Sequence, residues 1–111
     1  MSTISTHVLD TGTGSPAEGV TARLEHPGPD GAQPLGTGVT NADGRIADFG
    51  AGNLPAGTYR LVFDTGAYFA SAGRATFFPE VSVTFAVADE SQHYHIPLLL
   101  SPFSYTTYRG S

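Results

Sequence analysis

Four histidines, at positions 7, 26, 93 and 95, are the side chains of this 111-residue sequence whose ordinary pKa lies closest to neutrality, since the chain has no cysteine. His93 and His95 are two residues apart in a run that reads as a strand, so their side chains share one face. Tyr94, Ile96, Leu98 and Leu100 form an apolar row on the other face, which assigns that row to the core and turns both imidazoles away from it. The outward row of His93, His95, Pro97 and Leu99 is too apolar for a freely solvated strand, so a second subunit is expected to cover it. Such a pair can serve as general acid and base. With His7 as a third ligand it can equally hold zinc and leave one position for water. On spacing alone, Arg45 and Arg109 read as a turn-flanking charge and a charge near the chain end.

Other chemistries lack their residues. Without cysteine there is no thiolate nucleophile, thiolate metal site or disulfide. No serine sits in a G-x-S-x-G elbow, so hydrolysis would have to activate water directly. The segments Thr11-Gly12-Thr13-Gly14 and Ala51-Gly52-Asn53 match neither a dinucleotide fingerprint nor a phosphate loop and read as turns. Asn41-Ala42-Asp43-Gly44 lacks the other ligands of a calcium loop.

The elements that must position these side chains are short strands. Fourteen glycines and eight prolines punctuate runs of β-branched and aromatic residues, the pattern of an all-β sandwich or barrel. Val20–Leu24, Tyr59–Phe63 and Val81–Val87 alternate most clearly. Further strands are expected at Ile4–Leu9, Gly36–Thr40, Arg45–Phe49, Tyr94–Leu100 and Tyr105–Tyr108, about eight in all, enough for two four-stranded sheets. Thr40 to Arg45 reads as a hairpin turn with glycine at positive φ. Asp64 is a candidate N-cap for one short helix that ends at Gly73. Pro27 to Pro34 reads as an exposed loop.

Composition narrows the partners. A chain of this length suits one domain over residues 1–111, and 40% apolar against 14% charged residues favours a packed core. Ten acidic against five basic residues, a formal charge of −5, offer no footprint for nucleic acid or an anionic membrane. The start, Met1-Ser2-Thr3-Ile4, carries no secretory pattern, and the longest apolar runs fall far short of the ~20 residues that span a bilayer. A soluble, cytoplasmic protein is expected.

Several segments together carry a resemblance. They are Ser5-Thr6-His7-Val8-Leu9-Asp10-Thr11, Asp43-Gly44-Arg45, Gly57-Thr58-Tyr59-Arg60-Leu61, Phe77-Phe78-Pro79-Glu80, His93-Tyr94-His95-Ile96-Pro97-Leu98-Leu99-Leu100-Ser101-Pro102, and the ending Tyr108-Arg109-Gly110-Ser111. The chain resembles the transthyretin-like 5-hydroxyisourate hydrolases over nearly its whole length. The Tyr-Arg-Gly-Ser ending looks like the signature that separates those enzymes from transthyretin carriers of the same fold. The resemblance implies a two-sheet antiparallel β-sandwich of the transthyretin (pre-albumin) type. It also implies a homotetramer with active sites at the subunit interface and no cofactor or metal. The implied reaction, part of urate degradation, opens 5-hydroxyisourate to 2-oxo-4-hydroxy-4-carboxy-5-ureidoimidazoline.

Carried over by position, the resemblance makes His7, Arg45, His95 and Ser111 catalytic and His93, Tyr108 and Arg109 substrate-binding. His7 and His95 would divide proton removal and delivery, and Arg45 would hold a carbonyl oxygen as charge develops on it. Ser111 would bring a hydroxyl and a carboxylate to bind substrate or orient a histidine. The competing readings are a small-molecule carrier on the same scaffold, a structural interaction domain of that type, and the His-ligated zinc hydrolase.

Overall fold

The computed structural model of the chain describes residues 3–111. Met1 and Ser2, part of the start from which no leader is read, lie outside them. The described residues form nine strands and one helix: β1 Thr3–Asp10, β2 Ser15–Pro16, β3 Thr21–His26, β4 Gln33–Val39, β5 Arg45–Ile46, β6 Gly57–Phe63, α1 Thr65–Ser71, β7 Val81–Val87, β8 His93–Ser101 and β9 Ser104–Thr107. No described helix is long and apolar enough to cross a membrane.

Two sheets stack on one core. The first has the order β2-β1-β8-β9, with β5 also paired to β1, and the second has the order β4-β3-β6-β7. The alternation read from the sequence is what joins them. In β1, Ile4, Thr6, Val8 and Asp10 are buried while the residues between them are not, and in β8 the row Tyr94, Ile96, Leu98 and Leu100 is buried. These pack against Ala22, Leu24, Leu61, Phe63, Val81 and Val87 of the second sheet. Thr6 is tolerated in the core because its hydroxyl donates to the Ile96 carbonyl at 2.6 Å.

The all-antiparallel expectation needs correction at one pair. β1 and β8 run parallel from Thr3↔His93 to Asp10↔Leu100, whereas every other strand pair is antiparallel. A parallel neighbour cannot be joined by a tight turn. Here the chain crosses to the second sheet and returns before β8 settles beside β1.

The turn at Thr40 to Arg45 is also not a hairpin. Asn41 Oδ1 accepts from the Asp43 and Arg45 amides at 2.9 and 3.0 Å, so the tight turn is present. Its two flanking strands, however, belong to different sheets: β4 pairs with β3, and β5 pairs with β1. Gly44 makes that crossing. Its φ is +74°, its carbonyl accepts from the Val8 amide at 2.7 Å, and a Cβ there would stand 2.3 Å from the Val8 oxygen. The strand expected over Arg45–Phe49 stops at Ile46, beyond which Asp48 Oδ1 accepts from the Gly50 amide in a further turn. The loop expected to Pro34 ends sooner, because Gln33 and Pro34 enter β4. This is an edge strand with a register shift beside Pro34, where a missing N–H costs least.

α1 starts where expected, with the Asp64 side chain accepting from the Ala67 amide at 3.2 Å, and Gly73 follows it at φ +67°. The helix buries Phe69 and directs Tyr68 onto Asp10.

Candidate active site

β1 and β8 present parallel outward rows, so residues in register stand side by side on one face. Thr3 faces His93, Ser5 faces His95 and His7 faces Pro97. On the other side of β1, the antiparallel pairing with β5 sets Arg45 directly across from His7. The chain then returns through β9, and Gly110 forms a bridge to His95, its amide donating to the His95 carbonyl at 2.8 Å. Three strands and the terminal segment thereby bring distant parts of the sequence to one patch.

A cavity of about 320 Å³ opens there, lined by Ser5, Thr6, Arg45, Ile46, Ala47, His93, His95 and Ser111. A roomier recess of about 510 Å³ lies beside it and shares Ala47, but no imidazole or guanidinium lines it, so the groups equipped for acid–base chemistry line the smaller one. Gly110 is necessary to the packing of the tail. A Cβ on it would lie 2.5 Å from His95 Cδ2, so only glycine lets the tail pass against the ring.

His95 is half-buried, and its pKa is lowered from the ordinary 6.5. Burial is the largest cause, followed by the coulombic effect of Arg45, His7 and His93, while a hydrogen bond that the ring donates to the Ser5 backbone carbonyl works the other way. The ring is therefore neutral at neutral pH and has a lone pair to offer. Ser5 Oγ lies 2.8 Å from His95 Nδ1 and 2.8 Å from His93 Nε2, and His93 Nδ1 in turn hydrogen-bonds Thr3 Oγ1.

The other residues named from the sequence are placed as follows. His7 lies on the same outward face across from Arg45, next to this cavity rather than lining it. Arg109 is engaged elsewhere: its guanidinium stacks 4.7 Å from the Tyr94 ring centre and donates to Gln92 Oε1 at 2.8 Å. Tyr108 and Arg109 line a separate groove of about 300 Å³ with Val83, Phe85 and Ile96, to which His95 also contributes. His26 packs edge-on against Tyr59 at 5.6 Å, remote from the site by topology. Among the described residues no group of three His, Asp or Glu is placed to hold a metal ion, so the zinc alternative lacks a ligand set.

Sequence reasoning did not single out Ser5 and Thr3. The signal was available in part, since both share the face of His7 by two-residue periodicity. Their contact with the two histidines required knowing that β1 lies beside β8.

A two-sheet sandwich with a histidine and arginine patch on the outward face of one sheet defines a transthyretin-type protein with acid–base equipment. A model described as the HIUase/Transthyretin family matches residues 4–110, and the chain belongs to that family. It is 48% identical over 109 residues to the 5-hydroxyisourate hydrolase of Salmonella dublin, covering 97% of this chain and 80% of the relative. It is also similar to the solved structure of Klebsiella pneumoniae 5-hydroxyisourate hydrolase, with 50% identity, a TM-score of 0.89 and full coverage of both chains. Sea bream transthyretin in complex with thyroxine shares the fold at 38% identity and a TM-score of 0.88, covering 96% of this chain and 93% of that one.

Proposed function

We propose that this chain hydrolyses 5-hydroxyisourate, the substrate named for its hydrolase relatives, using His95 as the base for water, His7 as the proton donor and Arg45 as the oxyanion partner. The observation that carries the reading is the convergence of His7, Arg45, His93, His95 and Ser111 on one outward face from four separated segments.

The substrate is an electron-poor bicyclic purine derivative with a ring amide. Water needs a base beside it, and the carbonyl oxygen becomes negative as the ring opens. A neutral His95 removes the water proton. Arg45 remains charged and presents a planar fork to the developing oxyanion. His7, next to Arg45, returns a proton to the departing ring nitrogen. Ser111 and His93 contact the substrate from the cavity wall, while Tyr108 and Arg109 bind it from the adjoining groove that shares His95, Arg109 giving up its Gln92 contact to do so. No residue in this scheme calls for a cofactor.

The patch is open on one side, and enclosing a substrate requires further surface. Leu9 and Leu99 on the same face are only half-buried, while Phe103, Tyr105 and Tyr108 expose aromatic surface. These features support association of copies of the chain, in the proposed homotetramer, so that neighbouring copies close the site.

The test is turnover of freshly generated 5-hydroxyisourate, followed by the decay of its transient absorbance. The chain should accelerate that decay. His95→Ala and His7→Ala should each lower kcat about 10²- to 10⁴-fold, and Arg45→Ala about 10²- to 10³-fold. A wild-type chain that leaves the decay unchanged defeats the reading. A chain that only binds, as a carrier would, gives saturation without turnover.

A further inference from the structure

Ser5 stands between two imidazoles and has one proton to give. Its hydroxyl oxygen is 2.8 Å from His95 Nδ1 and 2.8 Å from His93 Nε2. A serine hydroxyl donates once and accepts through its remaining lone pairs. Using its proton within the chain therefore means donating to one ring and accepting an N–H from the other. The strand register holds the hydroxyl there, because Ser5 pairs with His95 and Thr3 with His93 on the same face. His95 Nε2 takes no part in the bond to the Ser5 hydroxyl, which leaves it as the nitrogen to offer to a substrate or water.

We propose that Ser5 is the positioning residue of the site: it accepts the Nδ1 proton of His95, so that Nε2 offers its lone pair, and donates its own proton to His93 Nε2. This rests on the functional reading above. His93 then carries its proton on Nδ1 and donates it to Thr3 Oγ1, so the line Thr3–His93–Ser5–His95 has one direction. Both rings are held in the Nδ1–H form, the minor tautomer of free histidine.

The same line can move charge. When water gives a proton to His95 Nε2, the His95 Nδ1 proton passes to Ser5 Oγ and the Ser5 hydroxyl proton passes to His93 Nε2. Three bonds to hydrogen break, in water, His95 and Ser5, and three form, on His95, Ser5 and His93. The positive charge ends on His93, one residue further from the nascent hydroxide, and His95 is left neutral. His93 is in this view a proton acceptor linked to His95 through Ser5.

The experiment combines ¹⁵N imidazole NMR with kinetics on the full chain. At about pH 9, where ordinary imidazoles are neutral, wild-type His95 and His93 should both show the Nδ1–H tautomer. Ser5→Ala should return His95 to the Nε2–H form and lower kcat about tenfold or more with KM little changed. Ser5→Thr, which keeps the hydroxyl and suits a strand, should recover most of the lost kcat and the Nδ1–H signature. A wild-type His95 found in the Nε2–H form overturns the proposal, as does an undiminished kcat in Ser5→Ala. The wild-type spectrum needs no variant and decides the point even if Ser5→Ala does not fold. Wild-type turnover separately tests the hydrolase reading: if it is absent, that reading fails while the spectrum still decides how Ser5 is used.

Discussion

His95 and Asp10 contrast how environment sets the charge of a titratable side chain. Burial and the coulombic effect of Arg45, His7 and His93 push His95 down from 6.5, so the neutral ring persists to lower pH than a free histidine would allow. Protonation removes the lone pair that accepts the water proton in the proposed reaction. The acid limb of kcat/KM should therefore have its midpoint below pH 6.5, and a midpoint at or above that value contradicts His95 as the base. For Asp10, burial works to raise the pKa, but hydrogen bonds from Arg74, Tyr68 and the Thr13 backbone outweigh it and hold the carboxyl below 3.8. The fully buried carboxylate accepts from Tyr68 at 2.7 Å, Arg74 at 2.5 and 3.2 Å, and the Gly12 and Thr13 amides at 2.9 and 3.2 Å. With a depressed folded pKa, its stabilisation is fully present above the unfolded value and is lost as pH falls through the folded value. Arg74→Ala leaves a buried charge short of its cation. It should cost about 3 kcal/mol in urea denaturation at neutral pH, and a loss under about 1 kcal/mol would show that the other donors suffice.

Elements matter here through their neighbours. β5 is two residues long, yet it sets Arg45 across from His7 because Gly44 lets the chain press onto the Val8 carbonyl. Gly44→Ala meets both an unfavourable positive φ and a clash with backbone, which nothing flexible can relieve. It should lower stability by about 2 kcal/mol or more and reduce kcat/KM by displacing Arg45. Thermal melts and steady-state kinetics on the same variant check both halves. The helix contributes differently. α1 has no residue in the cavity, but its Tyr68 and the following Arg74 brace the end of β1 through Asp10, fixing the strand that carries Ser5 and His7.

At the scale of the whole molecule, the proposed site depends on the terminal segment and on a face that further copies of the chain would cover. Gly110 bridges to His95 and Ser111 lines the cavity, while Tyr108 is 58% exposed. Removing residues 108–111 takes nothing from the buried core. It should leave the melting temperature nearly unchanged and abolish turnover, whereas full activity in a folded truncation would remove the segment from the site. In solution, sedimentation of the intact chain should give the mass of four copies. A stable monomer at working concentration would leave the outward face uncovered.

Much was legible because a strand's period is two and one face must be dry. That rule alone turned Tyr94, Ile96, Leu98 and Leu100 inward and His93 and His95 outward, and the buried row of β8 follows it. Turn chemistry located Gly44 and the cap at Asp64 for the same local reason: backbone geometry near a residue depends on that residue. Which strands become neighbours is a different matter, settled by how two apolar faces close on each other across long separations in sequence. The parallel pairing of β1 with β8, the crossing of β5 to the first sheet, and the departure of Arg109 toward Tyr94 all depend on that closure. The sequence by itself determined which side chains face outward. Only the tertiary structure decided that Ser5 would stand between two histidines some ninety positions away, because a register between distant strands is set by the whole core and is not encoded in either strand alone.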